Sequence, residues 1–152
     1  RLWFFATGTG FAPFASLLRE PQTYADYDEV IITHTCRTAG ELTYGRELIE
    51  ALEHDELLNE VIGDGFWKKI KYYPTTTREE SAKMGRITDL INSGDAYAEL
   101  GVEPLSAEND RAMICGNLAF NLELKAMLEA AGLEEGANSK PAHYVVEKAF
   151  LD

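Results

Sequence analysis

Five apolar residues in a row, Leu2 to Ala6, are followed at once by Thr7-Gly8-Thr9-Gly10 and then by a helical pattern that places Phe14, Leu17 and Leu18 on one side. An unbroken apolar run of this length predicts a strand covered on both faces. Pro13 falls in the first turn of the predicted helix, where a missing N–H costs little, and Pro21 is expected to end it. Further strands are predicted over residues 29–35 (EVIITHT), 69–73 (KIKYY, stopped by Pro74), 111–115 (RAMIC) and 142–150 (AHYVVEKAF). Helices are predicted over 41–52, 86–92, 95–100 and from 118 through 130, with Gly132 as the stop. Residues 53–65, 75–85 and 102–109 read as irregular connections.

Strands alternating with helices predict parallel pairing through right-handed crossovers. The expected fold is α/β: a three-layer, doubly wound parallel sheet of about five strands, in the order 3-2-1-4-5, with helices on both faces. The 152 residues suffice for one domain, and no internal repeat, low-complexity tract or linker divides them. In such a sheet a ligand sits beyond the carboxyl ends of the strands, where the strand order reverses. Residues 7–10, 34–37, 74–86 and 115–117 should gather there.

Charge and cysteine content narrow the class of partner. Asp and Glu number 26 against 14 Lys and Arg, a formal net charge of −12, which argues against nucleic acid or an anionic membrane surface. No apolar stretch approaches the roughly 20 residues of a membrane helix, and no secretory leader is recognisable. Cys36 and Cys115 lie far apart without CxxC spacing, so neither a disulfide nor a zinc framework is indicated and a reducing, cytoplasmic setting is expected. His34, His54 and His143 have no metal-ligand spacing, and no metal site is expected. The sequence has no initiator Met and opens inside a predicted strand, as a piece of a longer polypeptide would, its C-terminal half.

The glycine turn is the first candidate site. A strand–turn–helix junction leaves backbone N–H groups unpaired at the positive end of the helix dipole, which suits a phosphate or pyrophosphate. Glycine turns also join strands to helices for steric reasons alone. The dinucleotide fingerprint GxGxxG is half present: Gly8 and Gly10 fit, but Pro13 takes the third glycine's place. The acidic residue that would accept from a ribose 2′-hydroxyl after the second strand is missing, and Arg37 stands there. Thr77-Arg78 and Gly85-Arg86 add two more guanidiniums on loops at the same end. Read as surface charges they carry nothing; read together they suit a 2′-phosphate dianion, hence NADP(H) rather than NAD(H). Cys115 is either a small core residue or a side chain touching a flat ring that Gly116 lets approach. Asn117 follows in the same segment. Glu147 shares a strand face with Val145 and Ala149, so it is either half-buried and a proton-handling group or a plain surface position on an edge or terminal strand. Lys68, Lys69 and Lys71 form a small basic cluster expected on a solvated face.

These residues resemble the C-terminal NADP-binding domain of bacterial-type ferredoxin–NADP reductases nearly end to end. GTGFAPFASLLREPQTY, THTCR followed by GELTY, YYPTTTRE, GRITDLINSG, DRAMICGN and HYVVEKAF occur in that family's order. GTGxAPF and CGN are shared by the wider flavoprotein reductase superfamily. The TRE…GRxTDL pair and the terminal VEKAF are narrower and favour the bacterial type over the plant type, which ends in Tyr. The resemblance implies that Thr7, Gly8, Thr9 and Gly10 cradle the pyrophosphate, and that Arg37, Thr77, Arg78 and Arg86 hold the 2′-phosphate and adenosine. It further implies that Cys115, Gly116 and Asn117 line the nicotinamide site, that Glu147 is the carboxylate near the reacting rings, and that Ala149 and Phe150 contact FAD. Members exchange a hydride between NADP(H) and FAD and single electrons with ferredoxin or flavodoxin. The family's FAD-binding β-barrel is not in this sequence, so the chain alone is expected to be inactive, with its own FAD domain as a partner. Two other readings stand beside this one: a reductase component of an oxygenase or haem-protein system, and a non-enzymatic NADP-sensing module.

Overall fold

The computed structural model describes residues 1–137 and 139–148. Strands β1 (Leu2–Thr7), β2 (Val30–Cys36), β3 (Ile70–Thr76), β4 (Arg111–Gly116) and β5 (Tyr144–Lys148) form one sheet in the order β3-β2-β1-β4-β5. Every neighbouring pair is parallel, with Thr7 opposite Thr35 and Ala6 opposite Cys115 at the carboxyl ends. This is the doubly wound order expected.

The central position of β1 explains its composition. Trp3, Phe4, Phe5 and Ala6 are all fully buried, because alternate side chains feed two separate cores. Trp3 and Phe5 join Ile31, Ile114 and residues of α5 (Ile87–Ser93), α6 (Asp95–Leu100) and α7 (Leu118–Ala130). Phe4 and Ala6 join Ile32, Cys115 and residues of α1 (Ala12–Leu18), α2 (Pro21–Asp26) and α3 (Thr43–Glu53). On that second side the Phe4 and Phe14 rings stack with centroids 4.5 Å apart. Helices thus cover both faces, and the layer count is three.

Local boundaries depart from expectation where tertiary context outweighs a residue's habit. Pro74 lies inside β3, opposite His34, rather than stopping the strand. An edge strand tolerates it because alternate N–H groups there face no neighbour. Pro21 does not close α1, which ends at Leu18; it occupies the first turn of α2. The expected irregular stretch 53–65 contains helix α4 (Glu56–Ile62), capped by the Asp55 carboxylate accepting from Leu58 N at 3.0 Å. The third helix starts at Thr43 rather than 41, behind a tight 3-10 turn over Ala39–Leu42. Strand β5 starts at Tyr144; just before it the His143 carbonyl still accepts from Ala112 N at 3.0 Å, while its Nδ1 accepts from Glu134 N at 2.9 Å.

A single buried carboxylate ties the amino end of the sheet together. Asp110 has no exposed surface and accepts from Arg1 Nε (2.7 Å), Arg1 Nη2 (2.8 Å), Trp3 Nε1 (2.9 Å) and Ser106 N (2.9 Å). Burial opposes its ionisation, but the hydrogen bonds from Arg1, Ser106 and Trp3 outweigh that and hold its pKa below the ordinary carboxylate value.

Candidate dinucleotide site

At the opposite, carboxyl end of the sheet, the last residues of β1, β2 and β4 and the loop after β3 surround a cleft of about 390 Å³. Thr7, Gly8, Arg37, Thr77, Arg86, Gly116 and Asn117 all line it. In the order β2-β1-β4 the strand order reverses beside β1, so the cleft occupies the switch point.

The glycines at this end are needed for different physical reasons. Gly8 has φ +51°, a left-handed conformation that leaves a Cβ with nothing to strike but costs a side chain strain. For Gly10 the obstacle is proximity: a Cβ would lie 2.2 Å from the Cys115 carbonyl oxygen. Gly116 faces protein too, since a Cβ there would lie 2.5 Å from Phe120 and 2.5 Å from Thr7 Oγ1. Its bareness therefore lets β4, β1 and α7 pack closely, while Gly116 still lines the cleft. Asn117 caps α7, its Oδ1 accepting from Phe120 N at 2.9 Å. Behind it, Asn121 donates through Nδ2 to the Gly116 carbonyl at 3.2 Å.

Backbone hydrogen bonds stitch the cation-bearing loops together. Thr77 N donates to Cys36 O at 3.0 Å, and Arg78 N donates to Arg37 O at 3.0 Å. Arg37 and Arg78 are exposed and make no ion pair among the described residues. Arg86, also exposed, pairs with Glu123 of α7, which accepts from Thr88 as well. Arg37, Thr77 and Arg86 line the cleft; Arg78 stands on the adjoining loop outside its lining. Lys68, Lys69 and Lys71 are far from this end. Lys69 donates to Tyr24 O at 3.0 Å and Lys71 reaches Glu29 at 3.1 Å, so that cluster is largely spoken for by its neighbours.

Other expected site residues lie apart. Cys115 is fully buried in the core on the α1 and α3 side and does not line the cleft. Burial, with a contribution from Glu147, raises its thiol pKa and keeps it protonated at neutral pH. Glu147 is opposite Cys115 in the β4–β5 register, but it is exposed rather than half-buried. Ala149 and Phe150 lie outside the described residues.

The sequence assigns no role to three further residues of this region, although His34 lies in the THTCR block and Glu41 in GELTY. Glu41 lines the cleft and accepts from Arg37 N at 3.2 Å, and Glu123 enters from a helix distant in sequence. His34 sits beneath the turn, its Nε2 2.9 Å from Gly8 O. The strand prediction places residues 34–37 at this end, but the register that sets His34 opposite Ala6, and so beneath the turn, is a tertiary feature.

Residues 4–125 match the model of the oxidoreductase NAD-binding domain family. The chain belongs to that family. A flavodoxin/ferredoxin–NADP reductase of Rhodobacter capsulatus is 59% identical over 151 residues, which cover 99% of this chain and 54% of that protein. Ferredoxin–NADP reductase A of Sorangium cellulosum is 46% identical over 149 residues, covering 98% of this chain and 52% of its own length. The chain thus spans about half the length of these curated relatives. Among solved structures, a ferredoxin NADP+ reductase from Neisseria gonorrhoeae with bound FAD and NADP superposes with a TM-score of 0.80 at 26% identity, over 98% of this chain and 56% of that one. The NAD-binding domain has the architecture of that neighbour. Among the described residues, no helix is long and apolar enough to cross a membrane.

Proposed function

We propose that this chain is the NADP(H)-binding half of an FAD-dependent ferredoxin/flavodoxin–NADP reductase. On this reading it is a cytoplasmic oxidoreductase that works with its own FAD-binding domain and with ferredoxin or flavodoxin as electron partner. The observation that carries the proposal is the pair Arg37 and Arg78, without carboxylate partners among the described residues, beside a glycine turn at the switch point. On a chain of net charge −12, two unpaired guanidiniums on loops hydrogen-bonded to one another favour a dianion. The identities of 59% and 46% to named reductases support the same reading.

In this assignment the backbone of Thr7, Gly8, Thr9 and Gly10 holds the pyrophosphate. Arg37, Thr77, Arg78 and Arg86 hold the 2′-phosphate and adenosine, with Arg86 exchanging Glu123 for the phosphate. Gly116 and Asn117 border the nicotinamide, with Cys115 sealing the floor behind them as a neutral thiol. Glu147 offers an exposed carboxylate that holds or releases a proton beside the reacting rings, and Ala149 and Phe150 meet FAD. Held there, NADP(H) would supply hydride chemistry, and FAD on the other domain would supply the means to divide the electron pair for a one-electron partner.

Charge reversal tests the specificity. Arg78→Asp is the cleaner variant because Arg78 has no ion pair to lose among the described residues; Arg86→Asp also places a second carboxylate beside Glu123. Each is expected to weaken NADP+ binding by roughly 10- to 100-fold, the effect of removing a charge-assisted pair. NAD+ binding, measured by calorimetry on the same preparations, should hardly change. Equal losses for the two dinucleotides would mean that the arginines serve structure alone. Separately, the 152 residues should not reduce ferredoxin with NADPH unless a flavin-bearing domain is supplied. Turnover without added flavin would overturn the division of labour proposed.

A further inference from the structure

His34 is an unusual side chain for the middle of a buried strand. It is 1% exposed and lies in β2, directly opposite Ala6 of β1. Nε2 is 2.9 Å from the Gly8 carbonyl oxygen and 3.3 Å from the buried Cys36 Sγ, and Nδ1 is 3.3 Å from Tyr72 Oη. A carbonyl oxygen can only accept, so Nε2 carries the hydrogen. In the neutral ring Nδ1 is then an acceptor, and the Tyr72 hydroxyl donates to it. Burial keeps the ring neutral by lowering its pKa, although the bond to Gly8 and the charge of Glu41 oppose that shift. Gly45 makes the arrangement possible: a Cβ there would stand 2.8 Å from Tyr72 Oη and 3.0 Å from His34 Nδ1.

What this relay fixes is a peptide plane. The described residues contain no cis peptide, so the Gly8 carbonyl and the Thr9 N–H point in opposite directions across one planar unit. Holding the carbonyl down onto the buried His34 ring turns the Thr9 amide away from the sheet. Gly8, at φ +51°, is the residue whose flexibility would otherwise let that plane rotate. We infer that His34, oriented by Tyr72, is a positioning residue that aims the Thr9 amide at the dinucleotide's pyrophosphate. The inference rests on the dinucleotide reading of the cleft. Tyr72 and His34 touch no ligand on this account; they act through the turn.

The test separates the turn from the arginines by choice of probe. NADP+ would use both, whereas 2′-AMP would use the arginine loops and not the pyrophosphate turn. In His34→Leu, NADP+ binding measured by calorimetry is expected to weaken about 5- to 10-fold, the effect of one hydrogen bond, while 2′-AMP binding stays the same. His34→Gln, whose amide nitrogen falls near the position of Nε2, should recover most of the loss. Equal NADP+ affinity in the leucine variant would overturn the inference. Parallel loss of both probes, unrecovered by Gln, would do so too, since that is what a merely structural residue would give. A chain with native His34 that binds neither probe would overturn the dinucleotide reading and this inference with it. Should the leucine variant not fold, nitrogen NMR of the unsubstituted chain at pH 7 decides: the hydrogen is expected on Nε2, and finding it on Nδ1 would refute the relay.

Discussion

Replacing Gly10 with alanine is expected to weaken NADP+ binding by about 100-fold or more and to cost the fold about 3 kcal/mol. The reason is contact, not conformation, because Gly10 has no positive φ. The new methyl would meet the Cys115 carbonyl oxygen at 2.2 Å and its carbon at 2.8 Å. Both belong to the backbone of β4, an interior strand paired on both sides, so neither can yield as a flexible side chain would. The turn must lift instead, and the amides of residues 8–10 lift with it. Gly8→Ala is the matching control. Its Cβ would meet nothing within 4 Å, and the left-handed φ of +51° alone should cost about 1 kcal/mol. Calorimetric titration with NADP+ and urea unfolding of both variants check this; equal effects at the two positions would contradict the contact argument.

At the other end of the sheet, Asp110→Ala is expected to remove about 3–5 kcal/mol of stability, the usual cost of breaking a buried pair from one side. The substitution leaves the Trp3 indole N–H and the Arg1 guanidinium facing an empty place in a region where Asp110 itself had no solvent contact. Asp110→Asn should be milder, since the amide oxygen can still accept from Trp3 or Ser106. The pH dependence follows from the depressed carboxylate pKa. The unfolded chain takes up this proton more readily than the folded one, so the contribution is complete above about pH 4, the ordinary Asp value. It fades as pH falls through that value toward the folded one. Urea unfolding between pH 3 and pH 7 should therefore show a smaller acid-side loss in Asp110→Asn than in the unsubstituted chain, and identical slopes would refute the assignment.

How much of this was legible in the sequence depends on whether the signal is local. Leu2 to Ala6 reads as a strand covered on both faces, because a run this short, closed at once by a glycine turn, suits a buried strand better than a buried helix. The alternation of strands and helices implies a parallel, doubly wound sheet, and the carboxyl-end rule alone gathers Thr7–Gly10, Arg37, Thr77 and Gly116 at one end of it. Local signals misled where a neighbour changed their meaning. Pro74 reads as a strand stop, yet on edge strand β3 its missing N–H goes unnoticed. Leu57 and Val61 are exposed on α4, so that helix lacks a clean stripe, and only the Asp55 cap marks where it begins.

The sequence by itself determined the architecture, the end of the sheet where the cleft lies and the residue types gathered there, because hydrophobic period and turn chemistry act over a few residues. Only the tertiary structure decided which glycine is conformational and which is steric, that Cys115 faces the core rather than the cleft, and that Glu123 holds Arg86. It alone brought His34 beneath the Gly8 carbonyl and Arg1 onto Asp110. Those pairings join residues 26 and 109 positions apart. Contacts at such separations are set by strand register and crossover direction, which no window of neighbouring residues contains.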